Sequence, residues 1–316
     1  MFSGNTSLSG GVDTAFAVII GISLFFLIGI TAVIIYFIIK YNKKKNPVAS
    51  EIEGSNKLEI IWTVIPLILV LFMFWIGWHS YIPERQVPAD AMKIKVTAQM
   101  WSWHFEYENG KVEDTLYVPV NRPVVLNMVS LDVIHSLYIP AFRLKEDVVP
   151  GKTENYMWFK PMVRGSFDLF CAEYCGLRHS YMGTTVEVVD QATFDKWYAS
   201  GPAKIDSTVA AVPGAAGKLI VEQKGCIACH SSDGTKIVGP SYKGIFGHKT
   251  TVETNGKDRE VMVDEVYLKK SILEPNADVV KGFPKGSMPD YKTQLTDEQV
   301  GQIIEYIKTL GGAAEK

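Results

Sequence analysis

The 316-residue sequence has little net charge and few cysteines. Its 32 basic and 34 acidic residues leave a net charge of −2, so it lacks the basic excess with which nucleic-acid-binding domains contact phosphates. Four cysteines are too few for a disulfide-built scaffold in a chain of this length. A hydrophobic content of 47% with 21% charged residues excludes a disordered chain. The composition therefore indicates a globular protein with room for two domains and no nucleic-acid partner.

Two long hydrophobic runs account for the mean hydropathy of +0.08. Residues 15–39 contain no charged side chain, and residues 60–82 are interrupted only by Pro66 and His79. As helices rising about 1.5 Å per residue, both runs exceed the roughly 30 Å hydrocarbon core of a bilayer. Buried core helices seldom lack charge over such a length, and residues 1–14 have no Lys or Arg for the n-region of a cleaved signal peptide. We therefore predict a transmembrane hairpin.

Lysine and arginine are distributed unevenly around the two predicted spans. None precedes the first span, five lie in the connecting loop between residues 40 and 57, and three follow soon after the second span. Because positive residues collect on the cytoplasmic side, we expect this loop in the cytoplasm. The N-terminal segment (residues 1–14) and everything after about residue 83 are then expected on the periplasmic side of a bacterial cytoplasmic (inner) membrane.

Residues 83–199 have the pattern of an all-β sandwich. Residues 93–107 alternate with a period of two, which is typical of a half-buried strand. If no bulge intervenes, this alternation places Trp101 and Trp103 on the face opposite to Val96. Further β-rich runs, separated by Pro, Gly and Asn, lie at residues 123–130, 154–159, 166–170 and 184–189.

One loop of this β-rich region concentrates metal-binding side chains. Two thiols, two imidazoles and a thioether form a soft donor set, which favours copper over magnesium or calcium. A single blue-copper ion needs one cysteine, so the second thiol indicates a binuclear site with both sulfurs bridging. A disulfide and a structural zinc site are the alternatives, although a four-residue spacing rarely suits a disulfide and zinc has no use for the methionine. The candidate ligands are His135, Cys171, Cys175, His179 and Met182.

A second soluble domain is expected at residues 218–316, after an Ala-, Gly- and Pro-rich linker at residues 200–217. Its sequence Cys226-Ile-Ala-Cys229-His230 is the attachment motif of c-type haem, in which two thiols bond to the haem and the adjacent imidazole ligates iron. A CxxC redox pair and a zinc half-site are the alternatives, but neither requires the adjacent histidine. With two cysteines assigned to copper and two to haem, we expect no disulfide.

The end of this domain has the features of an amphipathic helix over residues 296–310. Thr296 is a typical N-cap, and Asp297 and Glu298 suit the positive end of the helix dipole. The isoleucines at positions 303, 304 and 307 recur with helical spacing.

These motifs resemble two known families. The Cys-x3-Cys-x3-His-x2-Met loop, the upstream Val-Ile-His-Ser, the aromatic run at residues 101–107 and residues 58–66 resemble cytochrome c oxidase subunit II, over residues 10–200. The last hundred residues resemble a class I cytochrome c. The resemblance implies a multidomain membrane protein of caa type: a two-helix hairpin, a cupredoxin sandwich with a mixed-valence CuA centre, and an all-α haem domain.

The resemblance also implies the metal ligands. It assigns Cys171 and Cys175 as bridges, His135 and Met182 to one copper, and His179 with the backbone carbonyl of Glu173 to the other. The Glu173 side chain matches a family ligand to magnesium at the contact with subunit I. In the haem domain, the carbonyl of Pro240 would fix the second ring nitrogen of His230. Met288, in Gly-Ser-Met-Pro, would be the distal ligand, with Met262 in a charged stretch as the competitor.

Two further residues acquire a role by resemblance alone. Trp101 matches the tryptophan at which electrons reach the copper centre, and its alternative is a packed cupredoxin aromatic. Glu59 matches the carboxylate at the mouth of the K proton pathway. Its alternative is structural, because Asn56-x-x-Glu59 resembles a helix capping box.

Together these expectations describe the electron-transfer subunit of a proton-pumping cytochrome c oxidase, an oxidoreductase. The chain would pass electrons from an external donor through haem c and CuA to subunit I, where O2 is reduced to water. The expected partners are subunit I and other oxidase subunits, membrane lipid, and a donor such as a quinol:cytochrome c oxidoreductase complex or a soluble cytochrome c. The alternatives are a CuA-type nitric oxide reductase subunit and a stand-alone membrane-tethered electron-transfer protein.

Overall fold

The computed structural model describes residues 4–48, 53–201, 212–292 and 294–311. Within these ranges it contains two long apolar helices, a sandwich of two five-stranded sheets, and a helical domain with a small third sheet. The helices are α1 (Ser9–Lys40), α2 (Asn56–Glu84), α3 (Gln191–Ala199), α4 (Ala215–Gln223), α5 (Glu265–Leu273) and α6 (Asp297–Thr309). The strands are β1 (Met92–Gln99), β2 (Ser102–Tyr107), β3 (Val112–Glu113), β4 (Leu116–Pro119), β5 (Val124–Ser130), β6 (His135–Ile139), β7 (Leu144–Val148), β8 (Tyr156–Phe159), β9 (Gly165–Cys171), β10 (Gly183–Val189), β11 (Lys249–Thr254), β12 (Lys257–Met262) and β13 (Val279–Val280).

Helices α1 and α2 form the predicted hairpin. They contain 32 and 29 residues, and the most apolar window of each leaves its side chains unburied by the rest of the chain. Each helix is longer than its predicted hydrophobic run because the helical conformation continues into polar residues at both ends. Near the sandwich, the Ser80 hydroxyl donates to the carbonyl of Gly11 at 3.1 Å, joining the two helices. The apolar surface therefore faces outward, as a lipid-embedded hairpin requires.

The capping box considered for Asn56 and Glu59 is not formed. The N-cap is Ser55, whose side chain makes no capping hydrogen bond, and Asn56 is already the first helical residue. Since an N-cap side chain acts from a non-helical position, Asn56 is one residue too late to serve. Glu59 lies exposed in the first turn, where the helix dipole favours a carboxylate.

The sandwich packs two sheets face to face, with strand orders β3-β2-β1-β5-β8 and β4-β10-β9-β6-β7. Strand β1 runs parallel to β5, and β4 runs parallel to β10; the other pairs are antiparallel. Alternate residues of β1 and β2, such as Ile94, Val96 and Phe105, are fully buried between the sheets. This arrangement confirms the predicted all-β sandwich.

The prediction of one strand over residues 93–107 is wrong. The chain turns at residues 100 and 101, so β1 and β2 form an antiparallel hairpin in which Ala98 pairs with Trp103. Both of these residues are buried, and Trp101 is only 6% exposed. The tryptophans therefore lie on the core side with Val96 rather than opposite to it, because a period-two count cannot be carried across a turn.

Two contacts join the sandwich to the end of α2 and to the N-terminal segment. The indole Nε1 of Trp158 donates to the carbonyl of Pro83 at 3.0 Å, beside the end of α2. In the N-terminal segment, Thr6 forms an isolated β-bridge with Pro161. The N-terminal segment and the sandwich therefore lie at the same end of the hairpin.

The haem-type domain is built around helices α4 and α6. Gly217 of α4 lies so close to the backbone of Gln302 that an added Cβ would collide with it. Helix α6 confirms the predicted C-terminal helix: Thr296 is its N-cap and forms a capping box with Gln299. Helix α4 begins at Ala215, inside the region expected to be linker, whereas linker residues 202–211 lie outside the described residues.

A three-stranded sheet, in the order β12-β11-β13, accompanies these helices. No apolar alternation marks these strands in the sequence, because most side chains of β11 and β12 are polar and only Val252 is fully buried.

Asp278, just before β13, is a buried carboxylate that joins this sheet to α5. Its side chain is 3% exposed and accepts hydrogen bonds from Arg259 and Lys270, each at 2.7 Å, and from Thr254. Burial alone would raise the pKa of Asp278, but these three hydrogen bonds outweigh it and hold the pKa well below its usual range. The stability it confers is therefore present above the ordinary carboxyl pKa and is lost as the pH falls through the lowered one.

We expect Asp278→Ala to lower the free energy of unfolding of this domain by about 2 kcal/mol, because it removes a buried carboxylate together with its hydrogen bonds from Arg259, Lys270 and Thr254. Asp258→Ala is the matched control. Asp258 pairs with Lys281 on the surface, where both side chains are about half exposed, so its loss should cost less than about 1 kcal/mol. Urea denaturation of the full chain tests this, and equal losses in the two variants would contradict the assignment.

Candidate copper and haem sites

The predicted copper ligands converge at one end of the sandwich. Cys171 ends β9, and Cys175 lies in the loop that leads towards β10; their Sγ atoms are 3.7 Å apart and both residues are buried. His135 begins β6 on the neighbouring strand, and its Nδ1 lies 3.9 Å from the Sγ of Cys171. The ligand atoms of these three residues lie within 4.8 Å of one another, the one such cluster found in the described ranges.

Three weaker or more exposed donors surround this thiol pair. The Nδ1 of His179 and the Sδ of Met182 lie 3.5 and 3.8 Å from the Sγ of Cys175. The carbonyl of Glu173 lies 3.3 Å from the Sγ of Cys171. Two sulfurs flanked by two imidazoles, a thioether and a carbonyl exceed the four ligands of a structural zinc ion, and they fit a pair of soft copper ions.

Hydrogen bonding couples the two thiols. It lowers the pKa of Cys171 to about 3, against the effect of burial, and raises the pKa of Cys175. Burial lowers the pKa of His135, but hydrogen bonds with Asp132 and Cys171 outweigh it and raise the pKa to about 9. Copper ligation requires thiolates and a neutral imidazole, so metal binding at these residues releases protons.

Asp132, which is not among the predicted site residues, orients His135. Its Oδ1 lies 2.8 Å from the Nε2 of His135, while its Oδ2 accepts the backbone N–H of Met100 at 2.7 Å. Nε2 is thereby engaged, and Nδ1 is the nitrogen beside Cys171. A carboxylate three residues before a candidate histidine ligand was the pattern that could have revealed it, since ligating imidazoles commonly donate their other nitrogen to a carboxylate.

We expect Asp132→Ala to weaken copper binding by about 10–100-fold, the usual cost of losing a residue that orients a metal ligand. Competition with a copper chelator, followed by EPR, measures the affinity. Asp132→Asn keeps one acceptor oxygen for two donors, the backbone N–H of Met100 and the Nε2–H of His135, so it should lose affinity as well. An Ala variant that binds copper as tightly as the unmodified chain would show that His135 needs no such support.

Trp101 contacts the copper loop directly. Its indole Nε1 donates to the carbonyl of Cys175 at 3.0 Å. Gly176, with φ of 112°, lets the loop approach the ring, since an added Cβ would lie 3.1 Å from it. Trp101 is thus both packed in the core of the sandwich and bonded to the copper loop. Its part in electron transfer stays a prediction.

The two remaining sequence candidates lie outside the copper cluster. The side chain of Glu173 is exposed and does not belong to the metal-binding cluster found in the described ranges, so its magnesium role stays a prediction. Glu59 lies at the start of α2, at the opposite end of the hairpin from the sandwich, so the structure does not bring it near either site.

His230 is held in one orientation by the haem domain. Its Nδ1 lies 2.8 Å from the carbonyl of Pro240, and its ring stacks on that of Tyr242 with centroids 4.8 Å apart. Gly239 permits this approach, because a Cβ there would lie 2.5 Å from the imidazole. Burial lowers the pKa of His230, so the ring is neutral, donates Nδ1–H to Pro240 and keeps Nε2 as a free lone pair for a metal.

A cleft beside His230 is lined largely by apolar side chains. Two adjoining cavities share His230, Met288, Cys226 and Tyr291 in their linings, whereas Met262 lines neither and is 47% exposed. Burial raises the pKa of the thiols of Cys226 and Cys229 to about 11, so neither is a thiolate near neutral pH. An imidazole, a thioether and two thiols around an apolar cleft fit a covalently attached haem.

The fold and these two sites define a membrane-anchored electron-transfer protein with a thiolate copper domain and a c-type cytochrome domain. Three family models match the chain: "Cytochrome C oxidase subunit II, transmembrane domain" over residues 3–80, its "periplasmic domain" over residues 104–189, and "Cytochrome c" over residues 214–311. Cytochrome c oxidase subunit 2 of Bacillus sp. (strain PS3) is 30% identical over 84% of this chain and 78% of its own length. The chain belongs to the cytochrome c oxidase subunit II family.

Other relatives have the same description. Cytochrome c oxidase subunit 2 of Alkalihalophilus pseudofirmus is 29% identical over 92% of this chain and 85% of its own length. Among solved structures, the periplasmic domain of subunit II of cytochrome oxidase of Bradyrhizobium japonicum is 32% identical, with a TM-score of 0.35, and covers 37% of this chain and 96% of that one. The long match to the first of these includes both soluble domains and the hairpin.

Proposed function

We propose that the chain is the electron-transfer subunit of a proton-pumping cytochrome c oxidase, in which it connects an external donor to subunit I. The observation that carries this proposal is the pair of sites in one membrane-anchored chain: a buried thiol pair ringed by further donors, and a CxxCH segment bordering an apolar cleft. The whole complex is an oxidoreductase, and oxygen is reduced in subunit I.

The residues of one soluble domain bind haem, and those of the other bind copper. Bound haem c and CuA supply reversible one-electron oxidation and reduction. Cys226 and Cys229 would hold the haem covalently, and His230 and Met288 would ligate its iron. The copper ligands are His135, Cys171, the carbonyl of Glu173, Cys175, His179 and Met182.

Rigid ligand positions suit this task, since electron transfer needs no nucleophile or general base. Pro240 fixes His230, and Asp132 fixes His135, each through a hydrogen bond of 2.8 Å. Ligands held in this way change little between oxidation states, which lowers the reorganisation that each transfer requires.

The soluble domains face the periplasm in this proposal. Three lysines lie in the loop between α1 and α2, and Lys40 and Lys57 lie at the adjoining helix ends. These five lysines support a cytoplasmic loop, and attachment of haem c takes place outside the cytoplasm. The donor is then a periplasmic or membrane-bound one, a quinol:cytochrome c oxidoreductase complex or a soluble cytochrome c.

Three finer assignments complete the proposal. Trp101, bonded to the carbonyl of Cys175, is the residue through which electrons reach the copper loop. Glu59, exposed at the cytoplasmic start of α2, is the carboxylate at the mouth of the K proton pathway. The Glu173 side chain, on the exposed face of the copper loop, binds magnesium at the contact with subunit I.

Purification of the tagged full chain in mild detergent tests the proposal. We expect a larger membrane protein carrying additional haem to co-purify and the preparation to consume oxygen with a reductant. A preparation that reduces nitric oxide but not oxygen would instead identify a nitric oxide reductase. A monomeric chain with neither activity would identify a stand-alone electron-transfer protein.

A further inference from the structure

The haem domain is seated on the copper domain at Gln99, the last residue of β1. Gln99 is 2% exposed, and its Nε2 donates to the hydroxyl of Tyr291 at 2.7 Å and to the carbonyl of Lys224 at 3.2 Å. Lys224 lies two residues before Cys226, and Tyr291 lies three residues after Met288. One amide of the copper domain thus contacts both chain segments that carry the haem ligands.

A second contact lies beside Gln99, where the haem domain presents Gly225 to strand β2. A Cβ on Gly225 would lie 2.5 Å from the Oγ of Ser102 and 3.2 Å from the Nε2 of His104, so only glycine fits here. Ser102 and His104 are themselves joined at 3.1 Å. Burial lowers the pKa of His104 to about 4, so the ring is neutral at this contact near pH 7.

Apolar contacts continue the interface towards both sites. Val238 and Cys229 of the haem domain pack against the hydrophobic core of the sandwich. Met100 of the copper domain helps to line the haem cleft, and its backbone N–H donates to Asp132, which in turn bonds to the copper ligand His135. Met100, in the turn that follows β1, therefore contacts both the haem cleft and Asp132, the residue that orients the copper ligand His135.

We propose that Gln99 is a positioning residue that locks the haem domain onto the copper domain, so that electrons pass between the two sites from one fixed docked arrangement. This inference rests on the proposed function only for its electron-transfer consequence. Transfer is then a unimolecular event that needs no charge-steered encounter, in contrast to a reaction between two separate proteins. A buried amide whose two acceptors belong to the other domain supplies the specificity of that arrangement.

Gln99→Leu tests the lock in the full chain, because leucine fills a similar volume but cannot donate. We expect amide hydrogen exchange of residues 99–104 and 224–231 to accelerate by at least about tenfold, since two buried hydrogen bonds between the domains are lost. We expect intramolecular haem-to-copper transfer after flash reduction to slow and to become dependent on viscosity. Tyr291→Phe, which removes one of the two contacts, should give an intermediate change in exchange.

Gly225→Ala and Gly244→Ala form a matched pair. The two glycines have φ values of 68° and 70°, so alanine strains the backbone equally, but a Cβ at Gly244 meets nothing within 4 Å. Only the Gly225 variant should loosen the docking, with the same exchange pattern as Gln99→Leu. If Gly225→Ala fails to mature its haem, Gln99→Leu, which lies in the other domain, still decides the question.

Unchanged exchange in both segments of Gln99→Leu would overturn the proposal, as would equal effects of the two glycine variants. Failure of the proposed function gives a different result. In that case the purified unmodified chain consumes no oxygen and no larger haem-bearing membrane protein co-purifies with it, while hydrogen exchange still reports whether the two domains are locked.

Discussion

Cys175→Ser is expected to abolish the binuclear copper spectrum and to leave the haem unchanged. The Sγ of Cys175 lies close to three other candidate ligands. It is 3.7 Å from the Sγ of Cys171, 3.5 Å from the Nδ1 of His179 and 3.8 Å from the Sδ of Met182. A serine hydroxyl is a harder donor that stays protonated at neutral pH, so it cannot replace a bridging thiolate. EPR of the full chain should lose the hyperfine pattern of two coppers that share one unpaired electron, while the optical spectrum of the haem persists.

Leu177→Ala is the control for this prediction. Leu177 lies in the same loop, is 70% exposed, and should tolerate substitution without any change in the copper spectrum. If Cys175→Ser retains the binuclear pattern, the sulfur of Cys175 does not bridge, and the copper assignment falls.

Met288→Ala is expected to have the opposite effect, altering the haem and sparing copper. Met288 lines the cleft that also contains His230, and methionine ligation raises the potential of a c-type haem. We expect the potential to fall by on the order of 0.1 V, within the wide range that axial ligands control. At about 59 mV per tenfold, reduction by a given external donor becomes roughly 50-fold less favourable. Redox titration of the optical spectrum measures the change.

Met262→Ala provides the comparison, because Met262 is 47% exposed at the end of β12 and does not line the cleft. Its substitution should leave the potential and the spectrum as they are. A loss of methionine ligation in the Met262 variant, with none in the Met288 variant, would reverse the assignment of the distal ligand.

Local patterns predicted the features of this chain that depend on neighbours in sequence. Charge-free runs are sufficient to indicate the hairpin, and the spacing of Cys171 and Cys175 places two thiols in one loop. The N-cap at Thr296 is equally local, since a capping side chain contacts backbone within its own first turn.

Features that depend on chain reversal or on distant partners escaped prediction. The turn after Gln99 places Trp101 and Trp103 on the core side, because the alternation of side chains between the two faces of β1 does not continue through the turn into β2. Asp132 is an exception, because its partner His135 is only three residues away and the spacing of the two was a local signal. The contact between Gln99 and Tyr291 joins residues 192 positions apart, and nothing in either local sequence indicates it.

The central claim is that this one chain carries electrons from its haem to its copper centre. Flash photoreduction of haem c in the purified full chain, with haem and copper absorbance followed together, tests it most directly. The account predicts that haem reoxidation and copper reduction proceed with one shared first-order rate that does not depend on protein concentration. Haem that stays reduced while copper stays oxidised, or a shared rate that rises with protein concentration, would contradict it.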